Sequence, residues 1–382
     1  MTKKFFLYAI AALGTLQSAA AQPRLIVQIV VGSMRGEDLD RYAENFGEGG
    51  FRRLTEGGTV YADSRYDYLQ TTTPVSLATL TTGAMPSTHG VIGSRWVDYT
   101  TNRTVELTAG RKGPGAYHLI APTLAETLLR HAPGSRAVTI APEAVSAVVT
   151  AGHGGEVFWL DSARCDWVTS PYYAAEVPEW IARSNRERYN LSYISGEWRT
   201  LLERGRYLNT RNYDIALSGK SKKDKDQSGS GRLKLRSDFE RMLYTPAGNT
   251  AVLGLAKQAI AQSAIELVND GDTLLVDSGT TALEFVRLLD QRDGITVITA
   301  DITIADYIDE SMPSVDVVML GGALRKGHRY LYGPLTMQAL QMVHADLAVM
   351  CPGAFVPSCG FTTDFPQMAE TKTAMIAAAH QS

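Results

Sequence analysis

Cysteine is scarce in this sequence: only Cys165, Cys351 and Cys359 occur among 382 residues. Three cysteines cannot build the disulfide framework of a small secreted domain, and their spacing is not that of a zinc motif. We therefore expect structural cysteines. A Cys351–Cys359 disulfide is an alternative only in an oxidising compartment.

Long hydrophobic runs are also few, and the most marked one stands at the N-terminus. Lys3 and Lys4 precede an apolar run over residues 5–16, and three alanines end at Ala21. A basic start, a short apolar stretch and small residues are typical of a secretory signal peptide cleaved after Ala21. The alternative, an anchor helix, needs about 20 apolar residues. We expect a periplasmic or secreted protein with no membrane association after cleavage.

A strong excess of one charge is missing too, with 37 Lys and Arg against 40 Asp and Glu. This balance argues against a nucleic-acid partner and against a basic membrane-surface protein. The mean hides an asymmetry, because residues 263–382 hold 6 basic and 15 acidic side chains and the preceding residues hold 31 and 25. A join of two parts of different origin would produce this shift, although ordinary multidomain proteins also show it.

Strand-like and helix-like patterns alternate along the chain, which predicts an α/β fold with layers of helices on sheets. The apolar run 24–31 predicts a strand buried on both faces, and residues 37–55 have helical spacing. The polar stretch 218–231 predicts an exposed loop or linker, since its lysines alternate with aspartates and lack aromatic neighbours.

The other predicted elements are shorter. Strands are predicted at 137–140, 145–150, 273–276, 295–299, 315–320 and 347–350. Helices are predicted at 124–129, at 251–268 and from the turn after residue 276 to residue 289.

Six motifs occur in order between residues 24 and 260. They are RLIVQIVVGSMRGEDLDRY, FGEGGFRRLTEGG, TTTPVSLATLTTGAMPSTHGVIGSRWVD, AGHGGEVFWLD, WVTSPYY and YTPAGNTAVLGLA. This part resembles the alkaline phosphatase superfamily, in its type I phosphodiesterase/nucleotide pyrophosphatase branch, and is most similar to single-threonine bacterial alkaline phosphatases. The resemblance implies a parallel-sheet α/β fold and zinc-dependent phosphate-ester hydrolysis by a threonine nucleophile.

Several positions depart from that pattern. The resemblance places the nucleophile at Thr73 but the metal-binding aspartate at Gly32, which has no ligand atom. The phosphate-contacting asparagine falls on Ser94, and the Lys and Arg of the phosphate clamp fall on Glu143 and Val145. A carboxylate at the clamp would repel a phosphate dianion.

The expectation is therefore an inactive phosphatase-like part without zinc or another cofactor. Further ligands would follow Ala256 in the family, where this sequence changes character. Thr73 would be a vestigial nucleophile that caps a helix, and His89 and His153 would make structural hydrogen bonds. The alternative is an active metal-dependent phosphate-ester hydrolase with Thr73 as its nucleophile.

A second set of ordered motifs fills residues 258–382. They are NDGDTLLVDSGTTALEF, ITVITADITIA, VVMLGGALRKGHRYLYGPL, ADLAVM and GFTTDFPQMAETKTAMIAAA. This part resembles the C-terminal sensor domain of DeoR-type sugar-metabolism repressors, whose fold is similar to ribose-5-phosphate isomerase. The resemblance implies binding of a phosphorylated sugar or a similar small phosphate ligand.

The candidate ligand site is a turn that follows a predicted strand and opens a helix. Its residues are Asp277, Ser278, Gly279, Thr280 and Thr281. Small residues there leave backbone N–H groups and hydroxyls available to cradle a phosphate. The alternative is a plain strand-to-helix turn.

Two further features support a ligand in this part. Gly321 and Gly322, after another predicted strand, would let a ligand approach the backbone closely. The E-x-K motif of the family falls on Glu370 and Lys372, so Lys372 would supply a cation. This part also departs from the family pattern, in which an asparagine follows the V-I-T strand; here Ala300 and Asp301 stand in its place. No helix-turn-helix precedes this part in the sequence, so we expect no direct DNA reading.

These observations give a hypothesis of two incomplete α/β domains joined in one chain, a chimera. Its predicted parts are a signal peptide at 1–21, a phosphatase-like domain at 22–260 and a sensor domain at 261–382. Each part is expected to stop where its family continues. The C-terminal part would be cytoplasmic if it exists as a separate sensor.

Overall fold

The computed structural model describes residues 25–47, 49–188, 196–199, 232–235, 246–356, 360–363 and 365–382. The predicted signal peptide, the predicted linker at 218–231 and Cys359 lie outside these residues. The described chain forms two compact units, one up to Asp63 and one from Ser64 to Ser382.

The helices are α1 (Gly36–Arg41), α2 (Phe51–Gly57), α3 (Thr73–Thr82), α4 (Pro86–His89), α5 (Leu124–His131), α6 (Ala144–Ala151), α7 (Glu179–Arg186), α8 (Pro246–Ile265), α9 (Thr280–Val286), α10 (Ile302–Ser311), α11 (Pro334–Leu340) and α12 (Pro366–Ala377). The strands are β1 (Arg95–Asp98), β2 (Arg103–Glu106), β3 (Val138–Ala141), β4 (Glu156–Asp161), β5 (Asp166–Val168), β6 (Gly196–Arg199), β7 (Arg232–Leu235), β8 (Thr273–Val276), β9 (Thr296–Thr299), β10 (Asp316–Met319), β11 (Ala323–Arg325), β12 (Tyr330–Tyr332), β13 (Ala345–Val349), β14 (Ala354–Val356), β15 (Gly360–Thr362) and β16 (Ala379–Gln381). This mixture of helices with parallel strands confirms the predicted α/β class.

The first part of the large unit is built on a three-stranded sheet. Strand β3 pairs with β4 in parallel, and β4 pairs with β5 in antiparallel orientation. Helix α6 is the crossover between β3 and β4, as a parallel pair requires. One face of the sheet packs Phe158 and Trp167 against Ile181 of α7.

The second part is built on a five-stranded sheet with the order β10-β9-β8-β13-β16, in which every pairing is parallel. Successive residues of β8 point to opposite faces, so Leu274 and Val276 belong to one core and Leu275 to another. Helices α8, α9 and α10 cover the first face, and α11 and α12 cover the second. This arrangement is a three-layer α/β sandwich.

Helix α8 takes part in the cores of both parts. Ala251 and Leu255, towards its N-terminal end, pack against the three-stranded sheet. Ala261 and Ile265, towards its C-terminal end, pack against the five-stranded sheet. The predicted domain boundary between residues 260 and 261 lies inside this helix.

A polar contact reinforces the same junction. Arg183 of α7 donates two hydrogen bonds to the carboxylate of Asp290, at 3.0 and 2.9 Å. Its Nε also donates to Glu187 Oε1 at 2.8 Å. Planar two-point contacts between arginine and carboxylate fix orientation as well as distance. The Arg183–Asp290 pair therefore connects α7 to the 3-10 turn Leu289–Gln291 that follows α9.

Three predictions of local structure are wrong. Residues 145–150 are helical, within α6, because a parallel crossover is needed there and its alanines and valines bury one side. Residues 25–31 form no strand, and their large apolar side chains are 41–64% exposed. An apolar run becomes a buried strand only if neighbouring strands pair with it, and within the described residues none does.

The helical pattern at 37–55 is also interrupted. It is divided into α1, a short 3-10 turn at Ala43–Asn45 and α2. Gly50, just before α2, has a φ of 61°, which a continuous helix does not allow. The glycines between the two helices therefore end the predicted helix early.

Most of the other predicted elements are confirmed. Helix α5 and strands β3, β8, β9, β10 and β13 overlap their predicted ranges. Helix α8 begins five residues before the predicted start and ends three before the predicted end. Within the described part of the chain, no helix is both long and apolar enough to cross a bilayer.

We expect Leu255→Ala to lower the free energy of unfolding by about 2–5 kcal/mol, because it opens a cavity beneath a helix that serves two cores. Leu255 is 2% exposed, whereas Leu253 on the same helix is 48% exposed and provides the matched control, Leu253→Ala. Urea unfolding of both variants measures the difference. Equal midpoints would contradict a structural role for this end of α8.

Candidate functional site

A cavity of about 310 Å³ lies at the carboxyl ends of β8 and β9. The sheet order reverses next to β8, since β9 continues on one side and β13 lies on the other. The cavity lies beside this reversal, on the β9 side of β8, and ligands of open parallel sheets bind outside the carboxyl ends of the strands. The lining residues come from the turn after β8, from the start of α10 and from the β11–β12 hairpin: Ser278, Gly279, Thr280, Leu283, Asp301, Thr303, Ile304, Gly327, His328, Arg329 and Tyr330.

Three of the residues predicted in the turn line the cavity, namely Ser278, Gly279 and Thr280. Gly279 has a φ of 147°, and a Cβ there would lie 3.3 Å from the Cβ of Cys351. Thr281 is half-buried in the first turn of α9 and does not line the cavity. The turn presents two hydroxyl side chains to the cavity, whereas the N–H groups of Ser278 and Gly279 are hydrogen-bonded to the carboxylates of Asp277 and Asp301.

Asp277 lies beneath this turn and is almost fully buried. Its Oδ1 accepts a hydrogen bond from the Ser278 backbone N–H at 2.8 Å, and its Oδ2 accepts one from the Cys351 N–H at 2.9 Å. Lys372 of α12 forms an ion pair with Oδ2 and donates to the Cys351 carbonyl at 2.9 Å. The carboxylate thus ties together the ends of β8 and β13 and the helix α12.

Lys372 is placed differently from what its predicted role requires. Its side chain is 13% exposed, is directed to Asp277 and does not line the cavity. The positive charge is compensated by a buried carboxylate, so in this arrangement it stabilises the floor of the site. Direct contact between Lys372 and a ligand stays a prediction.

Gly321 and Gly322 also lie outside the cavity lining. Gly322 has a φ of 148°, and a Cβ there would meet the backbone oxygen of Tyr332 at 2.6 Å. The hydroxyl of Thr336 donates to the Gly321 carbonyl at 2.5 Å. In the structure Gly322 permits close approach to Tyr332 at the end of the hairpin, and contact of either glycine with a ligand stays a prediction.

The basic side of the cavity, formed by His328 and Arg329, is not among the residues predicted from the sequence. Arg329 has a φ of 57°, and its carbonyl accepts a hydrogen bond from the Ile302 N–H at 2.9 Å. This bond fastens the hairpin turn to the start of α10. The cluster of basic residues just after the Gly-Gly pair was a signal that could have identified it.

Asp301, which replaces the expected asparagine, also lines the cavity. Its Oδ1 accepts hydrogen bonds from the backbone N–H groups of Thr303 and Ile304, at 2.7 and 3.2 Å, and so caps α10. Burial raises the pKa of its carboxyl above the usual value. Asp301 therefore positions α10 and brings a hydrogen-bonding carboxyl group to the cavity wall.

In the phosphatase-like part, Thr73 is exposed at the first position of α3. The prediction that Thr73 caps this helix is wrong. The N-cap residue is Thr72, and no side-chain capping hydrogen bond is formed there. Pro74, the second residue of the helix, has no N–H group that needs a partner, and its ring fixes its own φ. It therefore helps to start the helix without a capping hydrogen bond.

The residues at the family's phosphate-contacting positions make ordinary structural contacts here. Glu143 precedes α6 and accepts a hydrogen bond from the Ser146 hydroxyl at 2.9 Å. Val145 packs against the core formed by α3 and α6. The Ser94 carbonyl accepts the Leu107 N–H at 2.9 Å.

These residues do not fit a zinc site. Gly32 is exposed and offers no ligand atom. Across the described ranges, no three His, Cys, Asp or Glu side chains lie close enough together to hold a metal ion. No catalytic step through a metal is therefore derived from these residues.

His89 makes the structural hydrogen bonds that the sequence predicts. It is fully buried, its Nδ1 accepts the Val91 N–H at 3.1 Å, and its Nε2 lies 3.1 Å from the Thr79 hydroxyl. Burial lowers the pKa of the imidazole, which favours the neutral ring. His153 lies 3.0 Å from Glu126, a residue that also completes the capping box of α5.

Two family models match the chain, in separate segments. The type I phosphodiesterase/nucleotide pyrophosphatase family matches residues 26–229, and the DeoR C terminal sensor domain matches residues 255–382. Helix α8 contains the start of the second match. The two-part organisation predicted from the sequence is therefore confirmed.

Individual proteins agree with both matches. The chain is 28% identical to alkaline phosphatase PafA of Elizabethkingia meningoseptica, over 69% of this chain and 52% of PafA. It is 33% identical to the HTH-type transcriptional repressor GlcR of Bacillus subtilis, over 33% of this chain and 42% of GlcR. The crystal structure of wild-type PafA superposes with a TM-score of 0.54 at 23% identity, over 74% of this chain and 53% of PafA, which supports the fold.

The chain spans about half the length of the curated phosphatase relatives that it matches. More than half of its own length, however, matches a single family model. The chain belongs to the type I phosphodiesterase/nucleotide pyrophosphatase family, and its C-terminal third is similar to the DeoR C-terminal sensor domain.

Proposed function

We propose that the protein binds a phosphorylated sugar, or a similar small phosphate ester, in the cavity at the ends of β8 and β9. The observation that carries this proposal is the position of His328 and Arg329 opposite the turn Ser278–Gly279–Thr280. The hydroxyls of Ser278 and Thr280 suit phosphate oxygens, and a guanidinium adds charge and two-point geometry.

The charges around the cavity fix how such a ligand would lie. Arg329 is 60% exposed and only loosely paired with Asp306, at 3.8 Å, so its guanidinium can turn to a ligand at small cost. The carboxyl of Asp301 suits the hydroxyls of a sugar better than a phosphate, which a carboxylate would repel. The phosphate therefore lies nearer the hairpin, and the sugar nearer α10.

Sensing is the use that the sensor-domain match supports for this site. Binding would stabilise the turn after β8, the start of α10 and the β11–β12 hairpin in one arrangement. A phosphorylated sugar as the ligand, and the absence of a nucleic-acid partner, are parts of this proposal.

The phosphatase-like part takes a non-catalytic role in this proposal. Its support is the loss of function-bearing side chains at Gly32, Ser94, Glu143 and Val145, the positions to which the resemblance assigns metal and phosphate contacts. Export is supported by the N-terminal sequence, in residues outside the described structure. The competing function is a metal-dependent phosphate-ester hydrolase that uses Thr73, which is exposed and stands where the family has its nucleophile.

Sugar phosphates are expected to raise the melting temperature of the full chain in a saturable way. Arg329→Gln should raise the Kd on the order of 10- to 100-fold, since a charged hydrogen bond is lost. Lys326→Gln is the matched control, because Lys326 is an exposed cation on the same hairpin that does not line the cavity. Calorimetric titration with pentose and hexose phosphates, and with inorganic phosphate, measures the difference. Equal affinity in both variants would contradict the proposed site.

Lys372→Met should destabilise the unliganded chain by about 3–5 kcal/mol, because the buried Asp277 carboxylate would lose its partner. Lys326→Met, at an exposed lysine, is expected to stay within about 0.5 kcal/mol of the parent. Chemical denaturation without ligand gives both values. If Lys372→Met kept full stability, the ion pair would not brace the turn.

The full chain with added zinc should not hydrolyse p-nitrophenyl phosphate above background, because its described residues do not supply a metal site. Thr73→Ala tests the competing function, and Thr72→Ala is the control at the neighbouring exposed threonine. Turnover that Thr73→Ala abolishes and Thr72→Ala retains would establish the hydrolase instead.

A further inference from the structure

A second cavity, of about 250 Å³, lies where α7 meets α8, α9 and α10. Its wall includes Trp180, Ser184, Gln262, Glu284, Arg287 and Tyr307, and we call it the junction cavity. Helix α7 lies in the segment that matches the phosphodiesterase family, whereas α9 and α10 lie in the sensor segment. The junction cavity therefore needs both parts of the chain, and neither family match accounts for it.

The junction cavity collects buried polar atoms that have no hydrogen-bond partner. Six such side-chain atoms occur in the described part of the chain, and four of them belong to residues of this wall: Trp180 Nε1, Ser184 Oγ, Gln262 Oε1 and Arg287 Nε. A buried polar group without a partner costs about 1–3 kcal/mol. Ser184 is only 4% exposed, so bulk water does not satisfy its hydroxyl. Four such groups around one space indicate a polar occupant.

The size of the cavity and the apolar part of its wall suit a small organic molecule. At about 30 Å³ of liquid volume per water, the space equals about eight waters. The rings of Trp180 and Tyr307 and the side chain of Leu288 supply apolar surface. These apolar groups beside several polar ones suit a small organic molecule that has both an apolar and a polar part.

The polar atoms and charges restrict its chemistry. Trp180 Nε1, Ser184 Oγ and Arg287 Nε are donors suited to a carboxylate, and Gln262 Oε1 is an acceptor suited to an ammonium group. Arg287 Nε lies 3.8 Å from Glu284 Oε1, beyond hydrogen-bond distance, while its guanidinium stacks over Tyr307 at 4.4 Å.

The wall holds two arginines, Arg183 and Arg287, and two glutamates, Glu187 and Glu284, so its formal charge is zero. Arg183 is already paired with Asp290 and Glu187, so a ligand with balanced charges suits this wall better than one with a net charge. We propose that the junction cavity binds a small zwitterion of the free amino acid class, with an apolar side chain. The carboxylate lies towards Arg287 and the ammonium group lies towards Gln262.

The test is a thermal-shift and calorimetric screen of the full chain against the twenty free L-amino acids. At least one apolar member should stabilise the chain in a saturable way. Ser184→Ala and Trp180→Phe each remove one donor and should raise the Kd about tenfold. Thr169→Val removes a buried unpartnered hydroxyl outside this wall, and Trp96→Phe changes a tryptophan elsewhere, so both controls should bind as the parent does.

The outcomes separate this site from the phosphate-ester site. Arg329→Gln should leave amino acid binding unchanged, because Arg329 lines the other cavity. A saturable shift lost in Ser184→Ala and Trp180→Phe but kept in the controls supports the proposal. The absence of a shift with any amino acid would mean ordered water alone in the junction cavity and would overturn it. Unchanged affinity in both donor variants would overturn it as well.

Discussion

Helix α8 is the constraint on which the rest of the large unit depends. Its 20 residues extend about 30 Å, and its two ends are buried in different hydrophobic cores. A continuous hydrogen-bonded rod cannot change direction between those cores without breaking backbone hydrogen bonds. The Arg183–Asp290 contact then fixes the rotation of α7 against the sensor-like part. Two segments with separate family matches are thereby held in one arrangement.

The sequence predicts the five-stranded sheet better than the phosphatase-like part. Strands such as β8 and β9 are short apolar runs buried on both faces, so their side chains alone indicate their structure. Residues 145–150 have similar composition, but they form a helix because the neighbouring strands are parallel and need a crossover. Residues 25–31 are predicted as a strand but form none, since a buried strand needs partner strands and the apolar run itself does not show whether they are present.

The residues of the candidate site also differ in how far the local sequence predicts them. The turn from Ser278 to Thr280 is predictable because strand, small residues and helix follow one another in sequence. Arg329 is about 50 residues away and reaches the cavity only through the hairpin and its backbone bond to Ile302. Lys372 was found by resemblance, but its pairing with Asp277 depends on the packing of α12 under β8. Contacts between distant segments need the tertiary fold.

The continuity of α8 decides whether the protein can be divided. A cut before Pro246 would strip the three-stranded sheet of Ala251 and Leu255, and a cut after Ile265 would strip the five-stranded sheet of Ala261 and Ile265 itself. A cut in the middle would leave two helical stubs of about ten residues, which are marginal in water on their own. No single point of division therefore gives two pieces with intact cores. The two parts match separate families, but neither a protease nor subcloning would release both of them with intact cores.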